Sequence, residues 1–218
     1  MSHHVLGVGI LSVPERQRRL NSLLRLLELP PDVVALDFMH EGHIINWWRA
    51  ADIACSKALV GNESPTHALI IEDDAEPCPD FIQTVESLVD MYPDRTISFF
   101  TRDAIVKNST IGTLVNVKDV PTDLAVVYPV KWLKSLKQDY LKQQDSFERR
   151  KRRWGYGADE MRAELRPDKV VWATVPSLVE HGCPEASTLS HFYPTNVAAR
   201  FIGGAESALS IKWEAPKS

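Results

Sequence analysis

The sequence predicts an α/β protein: one α/β/α sandwich over residues 1–218, with a mostly parallel central sheet and an irregular second half. Three observations lead there. Short apolar runs alternate with amphipathic helical segments through residues 1–100, the pattern of βαβ units. From Asp103 to Tyr128 the pattern turns β-like and irregular, unlike a simple doubly wound sheet. A chain of 218 residues, 44% hydrophobic, suits one core, and no linker or internal repeat divides it.

The elements follow in order. Residues 5–11 form a short apolar run with Gly7 and Gly9, read as a buried strand that other backbone approaches closely. Ser12-Val13-Pro14-Glu15 has the spacing of a capping box with proline near the first turn. Leu20, Leu23, Leu24 and Leu27 then give the following helix one apolar stripe, and Pro30-Pro31 stops it. Residues 33–38 are a second strand and 46–60 a second helix. Residues 67–71 are a third strand, running directly into Glu72-Asp73-Asp74. Pro77 and Pro79 break the chain before a helix with Phe81, Val85 and Leu88 on one face. A fourth strand is expected at 96–100, and 111–117 and 124–127 are further strand candidates of antiparallel kind. Helices are expected at 130–142 and 158–165, and a late strand at 169–173.

Composition removes several classes. With 25 basic against 29 acidic residues the formal charge is −4, so no global positive field draws the chain to nucleic acid. No apolar run approaches the roughly 18–20 residues that cross a bilayer, and residues 1–11 carry no basic n-region. A cytoplasmic protein with no membrane association is expected. Cys55, Cys78 and Cys183 are widely spaced without a CxxC pair, so free thiols are expected, and the sequons at Asn62 and Asn108 carry no weight. Gly7-Val8-Gly9 does not extend to GxGxxG, and neither GxxxxGK[ST] nor GxSxG occurs, which disfavours dinucleotide, phosphate-loop and hydrolase chemistry.

Chemistry concentrates at the strand ends. Three adjacent carboxylates, Glu72, Asp73 and Asp74, repel one another unless something positive sits among them. In extended chain Glu72 and Asp74 share a face and Asp73 points away. A hard divalent ion, Mn²⁺ or Mg²⁺, suits such oxygens. A solvated acidic turn ahead of the helix near Asp80 is the plainer reading. Ligands of parallel sheets sit beyond the carboxyl ends of strands, which points to Ser12 and to residues 72–74.

His67-Ala68-Leu69-Ile70-Ile71-Glu72-Asp73-Asp74-Ala75, followed by Pro77-Cys78-Pro79-Asp80-Phe81, resembles the hydrophobic strand, EDDA and PxF segment of GT-A glycosyltransferases. It is especially similar to family-25-like and small bacteriophage-encoded enzymes. The resemblance implies that the acidic cluster is the DxD motif of that superfamily. Asp74 becomes the main metal ligand, aided by Glu72, which is placed on the nucleotide ribose or a metal-bound water. Gly9-Ile10-Leu11-Ser12-Val13-Pro14-Glu15-Arg16 looks like the loop that holds the donor, which places Ser12, Pro14 and Arg16, with Glu72 and Asp73, on the nucleotide. Trp154-Gly155-Tyr156-Gly157-Ala158-Asp159-Glu160 is similar to the glycine-flexed loop whose acidic residue faces the acceptor hydroxyl. That makes Asp159 the general base with Glu160 as the alternative, or both acceptor-orienting groups in a retaining enzyme. Read from the residues alone, the pair also suits the first turn of a helix. Val175-Pro176-Ser177-Leu178-Val179-Glu180-His181-Gly182 looks like the P-S-L-V-x-H segment of phage-type relatives, with His181 as the late metal ligand.

What the resemblance implies is a metal-dependent transferase using Mn²⁺ or Mg²⁺ and a nucleotide-diphosphate sugar. Residues 1–100 would hold the donor and 101–218 the acceptor. The most specific acceptor is a hydroxymethylated pyrimidine in bacteriophage DNA, with the host cytoplasm as location. A polysaccharide or other glycan acceptor, and a nucleotidyltransferase, are the alternatives. The basic run Arg149-Arg150-Lys151-Arg152-Arg153 is either a solvated helix end or a mobile segment closing over phosphate. One of Trp47 and Trp48 is expected in the core, Trp154 and Tyr156 are stacking candidates, and Arg200 is a phosphate candidate. His67 is expected to be structural, while His3, His4, His40, His43 and His191 lack metal-like spacing.

Overall fold

Leu6–Ser12 forms β1, and every one of its residues is buried. A strand apolar on both faces belongs inside a sheet covered on both sides. It lies between β2 (Val34–Leu36) and β3 (His67–Glu72) and runs parallel to both. The computed structural model describes residues 4–117, 124–154, 158–165, 170–182 and 198–216. Beyond β3 lie β4 (Ala75–Pro77), β5 (Ile97–Ser98), β6 (Thr113–Val117), β7 (Ala125–Pro129), β8 (Val171–Val175) and β9 (Val179–His181). The seven-stranded sheet has the order β2-β1-β3-β7-β5-β8-β6, while β4 and β9 form a separate antiparallel pair.

β7 is antiparallel to both of its neighbours, β3 and β5, and β6 is antiparallel to β8. β5 and β8 are parallel, so within the seven-stranded sheet all strands but β7 and β6 share one direction. The mostly parallel sheet with an irregular second half is therefore present.

Among the described residues five α-helices cover it: α1 (Gln17–Leu26), α2 (His43–Ser56), α3 (Phe81–Met91), α4 (Val130–Trp154) and α5 (Ala158–Leu165). Alternation along β1 sends Leu6, Val8 and Ile10 to one face, where Leu20 and Leu23 of α1 and Val85 and Leu88 of α3 pack. Ala68, Ile70, Val126 and Tyr128 meet α2, α4 and α5 on the other, through Trp47, Ala50, Leu133, Leu136 and Met161. These are the three layers of an α/β/α sandwich.

The glycines of β1 act as expected. A Cβ on Gly9 would lie 2.7 Å from the Ala50 carbonyl carbon and overlap its oxygen, and one on Gly7 would overlap the Ala54 oxygen. α2 thus rests its backbone directly on β1, with Ala50, Ala51 and Ala54 all buried at the contact.

Several boundaries differ from expectation for physical reasons. Ser12 is buried at the strand end and caps nothing: a 3₁₀ turn (Pro14–Arg16) precedes α1, and neither has a side-chain cap. α2 begins three residues early, because Gly42, at φ 104°, turns the chain into it. α4 runs well past residue 142, anchored on its distal half by Phe147, which is fully buried and stacks on Tyr140. Residues 149–153 consequently lie in the last turns of α4, with Arg149 exposed. Both Trp47 and Trp48 are core residues, the first against Tyr128 and the second against Tyr140. Gly155, Tyr156, Gly157, Lys169, Cys183, His3, His191 and the Trp154 side chain lie outside the described residues. Among the described residues no helix is long and apolar enough to cross a membrane. Cys55 and Cys78 are free, and burial pushes both thiols up to about 11, which keeps them inert.

Candidate functional site

β1 and β3 run side by side with Leu11 opposite Glu72, so Ser12 and the acidic triplet emerge at one edge. Strand alternation stops there. Residues 73–74 form a turn, and the Asp73 N–H donates to the Leu11 carbonyl at 3.1 Å. The expectation that Asp73 points away is therefore corrected: it turns back beside Asp74, while the charge of Glu72 still acts on both. Arg16 Nη1, presented by the Pro14 turn, donates to Asp73 Oδ1 and to Asp74 Oδ2, each at 2.8 Å. Ser12 Oγ donates to Asp73 Oδ2 at 2.7 Å. Both oxygens of Asp73 are satisfied. Pro14 itself is half-buried in that turn.

The second contribution crosses from the far end of the chain. β4 follows the turn and pairs with β9, Ala75 opposite His181. This brings His181 Nε2 to 3.6 Å from Asp74 Oδ2, while the Gly182 N–H donates to the Asp74 carbonyl at 2.7 Å. A side chain at Gly182 would be crowded by main chain, since a Cβ there would lie 2.9 Å from the Asp74 carbonyl oxygen. Arg19 Nη1 holds the Gly182 carbonyl at 3.3 Å.

Glu72 faces a different histidine. His43 Nε2 lies 3.4 Å from Glu72 Oε1, and His43 Nδ1 accepts a hydrogen bond from the Ala158 N–H at 3.2 Å. Ala158 opens α5, so the helix carrying Asp159 and Glu160 starts beside the acidic triplet. Glu160 is exposed. The Asp159 side chain lies outside the described residues.

Burial, then the charge of Glu72, pushes the Asp74 carboxyl up to about 6, against the pull of Arg16 and His181. Burial also raises Asp73, with Arg16 and Ser12 offsetting part of the effect. Burial alone would lower the Arg16 guanidinium, but Asp74, Asp73 and Glu72 together carry it upward. One arginine thus neutralises only part of three carboxylates. Asp74 Oδ1 is buried with no hydrogen-bond partner, an arrangement that costs free energy in a ligand-free site.

Among the described residues no three His, Cys, Asp or Glu side chains converge as a complete metal cage. Asp74 and His181 are two adjacent donors, and Mg²⁺ or Mn²⁺ sites commonly use one or two carboxylates and complete the shell with substrate phosphate and water. The residues fit an ion that arrives with a phosphate ligand. Of the remaining candidates, Arg200 donates to the Ser109 carbonyl at 3.0 Å. His67 bonds the Pro93 carbonyl and Thr66, a structural role as expected.

Sequence reasoning missed His43, whose partners lie far along the chain and which stands three residues ahead of the helix the sequence predicts. It also missed the use of the Ser12 hydroxyl. Ser12→Ala is expected to cost about 2 kcal/mol, the worth of a hydrogen bond to a buried charged acceptor. Urea denaturation checks this, and a loss within error of zero would show that Asp73 needs Arg16 alone.

No protein-family model matches the chain, and no curated protein matches it.

Proposed function

We propose that the chain is a metal-dependent glycosyltransferase of the GT-A type. The observation that carries the reading is Asp74: a buried carboxyl with one oxygen unpartnered and the other shared by Arg16 and His181, at the carboxyl edge of parallel strands. A turn of purely structural purpose gains nothing from such a group. A site for a cation and a phosphate does, because both recover the electrostatic cost. Asp74 and His181 would hold Mn²⁺ or Mg²⁺, which when bound offsets charge developing on a leaving diphosphate.

The other residues take roles around that point. Arg16 has the guanidinium geometry suited to phosphate oxygens, and Ser12 with Pro14 shapes the turn that presents it. Asp73 keeps Arg16 at the edge, and Glu72, whose charge acts on Asp74, aids the ion or contacts the nucleotide ribose. Asp159, with Glu160 as alternative, takes the proton from the acceptor hydroxyl as the glycosidic bond breaks. The likeness to phage-encoded enzymes favours a hydroxymethylated pyrimidine in DNA as acceptor, in the host cytoplasm, and the basic end of α4 just before α5 supports a phosphate-bearing partner.

The test incubates the protein with Mn²⁺, a panel of nucleotide sugars and hydroxymethylated DNA, then weighs the digested nucleosides. Sugar mass on the modified base and release of nucleoside diphosphate are expected. Pyrophosphate release would instead identify a nucleotidyltransferase, and transfer only to glycans would reject the DNA acceptor. Asp159→Asn is expected to slow transfer about a hundredfold, the usual worth of a general base, with donor binding unchanged. Undiminished turnover would remove Asp159 from the reaction.

A further inference from the structure

His43 is held from several sides before its ring meets anything. The Asp37 carboxylate accepts the N–H groups of Glu41 and Gly42 at 3.0 and 2.9 Å, fixing the entry to α2. Asn46 Nδ2 donates to the Ser12 carbonyl at 3.1 Å, tying the first turn of α2 to the end of β1. The body of α2 lies backbone-to-backbone on Gly7 and Gly9. A side chain on such a mount occupies a defined place, and its ring nitrogens are then assigned by their partners. An N–H donor at Nδ1 makes that nitrogen the unprotonated one, so Nε2 carries the hydrogen and turns it toward Glu72 Oε1.

The Ala158 amide is one of the N-terminal donors of α5 that no intrahelical carbonyl can accept. A local cap from the preceding residues is the common solution. Here an imidazole from another helix accepts it. The same ring therefore touches the strand-end carboxylate on one side and the helix bearing Asp159 on the other.

We propose that His43 is a positioning residue that registers α5, and with it Asp159, against Glu72. The role rests on the transferase reading above. Loading the donor side, where Glu72 shares the electrostatics of Asp74, is then felt at the first amide of α5. His43 touches no reacting atom in this scheme. It sets where the acceptor-side carboxylates stand relative to the donor.

Nuclear magnetic resonance of the whole chain tests this in two steps. In the ligand-free protein, His43→Phe is expected to speed exchange of the Ala158 amide about tenfold, the loss of one modest hydrogen bond. His43→Gln, whose amide both accepts and donates, is expected to retain most of the protection. Equal exchange in wild type and His43→Phe would overturn the tie itself. In the second step uridine diphosphate with Mg²⁺ is the probe. The Ala158 resonance is expected to shift in wild type and in His43→Gln but not in His43→Phe, while shifts at Ser12 and Asp73 persist in all three. An Ala158 shift that survives in His43→Phe would overturn the positioning role while leaving the transferase reading intact. No shift at Ser12 or Asp73 in wild type, repeated with the other nucleoside diphosphates, would overturn the transferase reading, and with it the role assigned to His43.

Discussion

Asp74→Asn is expected to abolish Mn²⁺-dependent binding of a nucleoside diphosphate and, in the same protein, to raise the stability of the ligand-free state at alkaline pH. The first effect follows from removing the anionic donor that faces His181. Binding measured by calorimetry should weaken by at least about a thousandfold, since a neutral amide is a poor ligand for a hard divalent ion. The second follows from the sign of the shift. The carboxyl is raised from 3.8 to about 6, chiefly by burial and then by Glu72. A raised acid favours the folded state fully below its unfolded value, and that contribution is lost as pH climbs through the folded one. Wild type therefore carries an ionised, poorly solvated Asp74 at pH 8, a handicap of about 2–3 kcal/mol at about 1.4 kcal/mol per pH unit. Asparagine does not ionise. Melting temperatures of the two proteins should separate across the interval from about 4 to about 6 and stay apart above it. A variant less stable than wild type at pH 8 would show that the Arg16 contact outweighs burial.

Gly9→Ala should be severely damaging, as should Gly7→Ala in the same strand. At Gly9 the added carbon would overlap the Ala50 carbonyl oxygen and lie 2.7 Å from its carbon. Both sides of this contact are main chain, so neither can swing aside, and the helix must lift off the strand. Overpacking commonly costs about 1–3 kcal/mol; this position belongs at or beyond the upper end. Loss of soluble protein, or a melting temperature lower by about 10 °C, is expected. Ala50→Gly should give no rescue, because the obstructing atom is a carbonyl. Gly204→Ala is the control: nothing lies within 4 Å of a Cβ there, and the melting temperature should not move. Similar outcomes for Gly9→Ala and Gly204→Ala would mean that α2 does not bear on β1 as described.

The readable parts of this molecule were those set by neighbouring residues. Gly7 and Gly9 in an apolar run announced a strand under close backbone approach, and α2 provides it. The acidic triplet at the end of an apolar strand marked the edge where Ser12, Arg16, Asp73 and Asp74 meet. What could not be read depends on contacts between distant segments. The turn at residues 73–74 ends the strand before the β4–β9 pairing begins, so strand alternation misjudged where Asp73 points. Ser12 looked like a cap because capping is a local pattern, yet its hydroxyl is bound by a carboxylate on another strand. His43 meets Glu72 and Ala158 only once α2 and α5 have both docked. The length of α4 was underestimated because its outer half is polar and, among the described side chains there, Phe147 is the buried one that seats it.

The small ladder that carries His181 has a root and a tip. Its root is secured where the amides of Leu178 and Val179 share the Phe99 carbonyl, whereas at its tip, among the described residues, Gly182 is held by the Asp74 carbonyl and by Arg19. A two-stranded ribbon on its own is marginal in water, so fraying begins at the tip, long before the main sheet melts. The imidazole can thus be withdrawn and restored while the scaffold stands. Under the proposed transferase reading, a spent diphosphate would gain an exit that requires no dismantling of the strands beneath it.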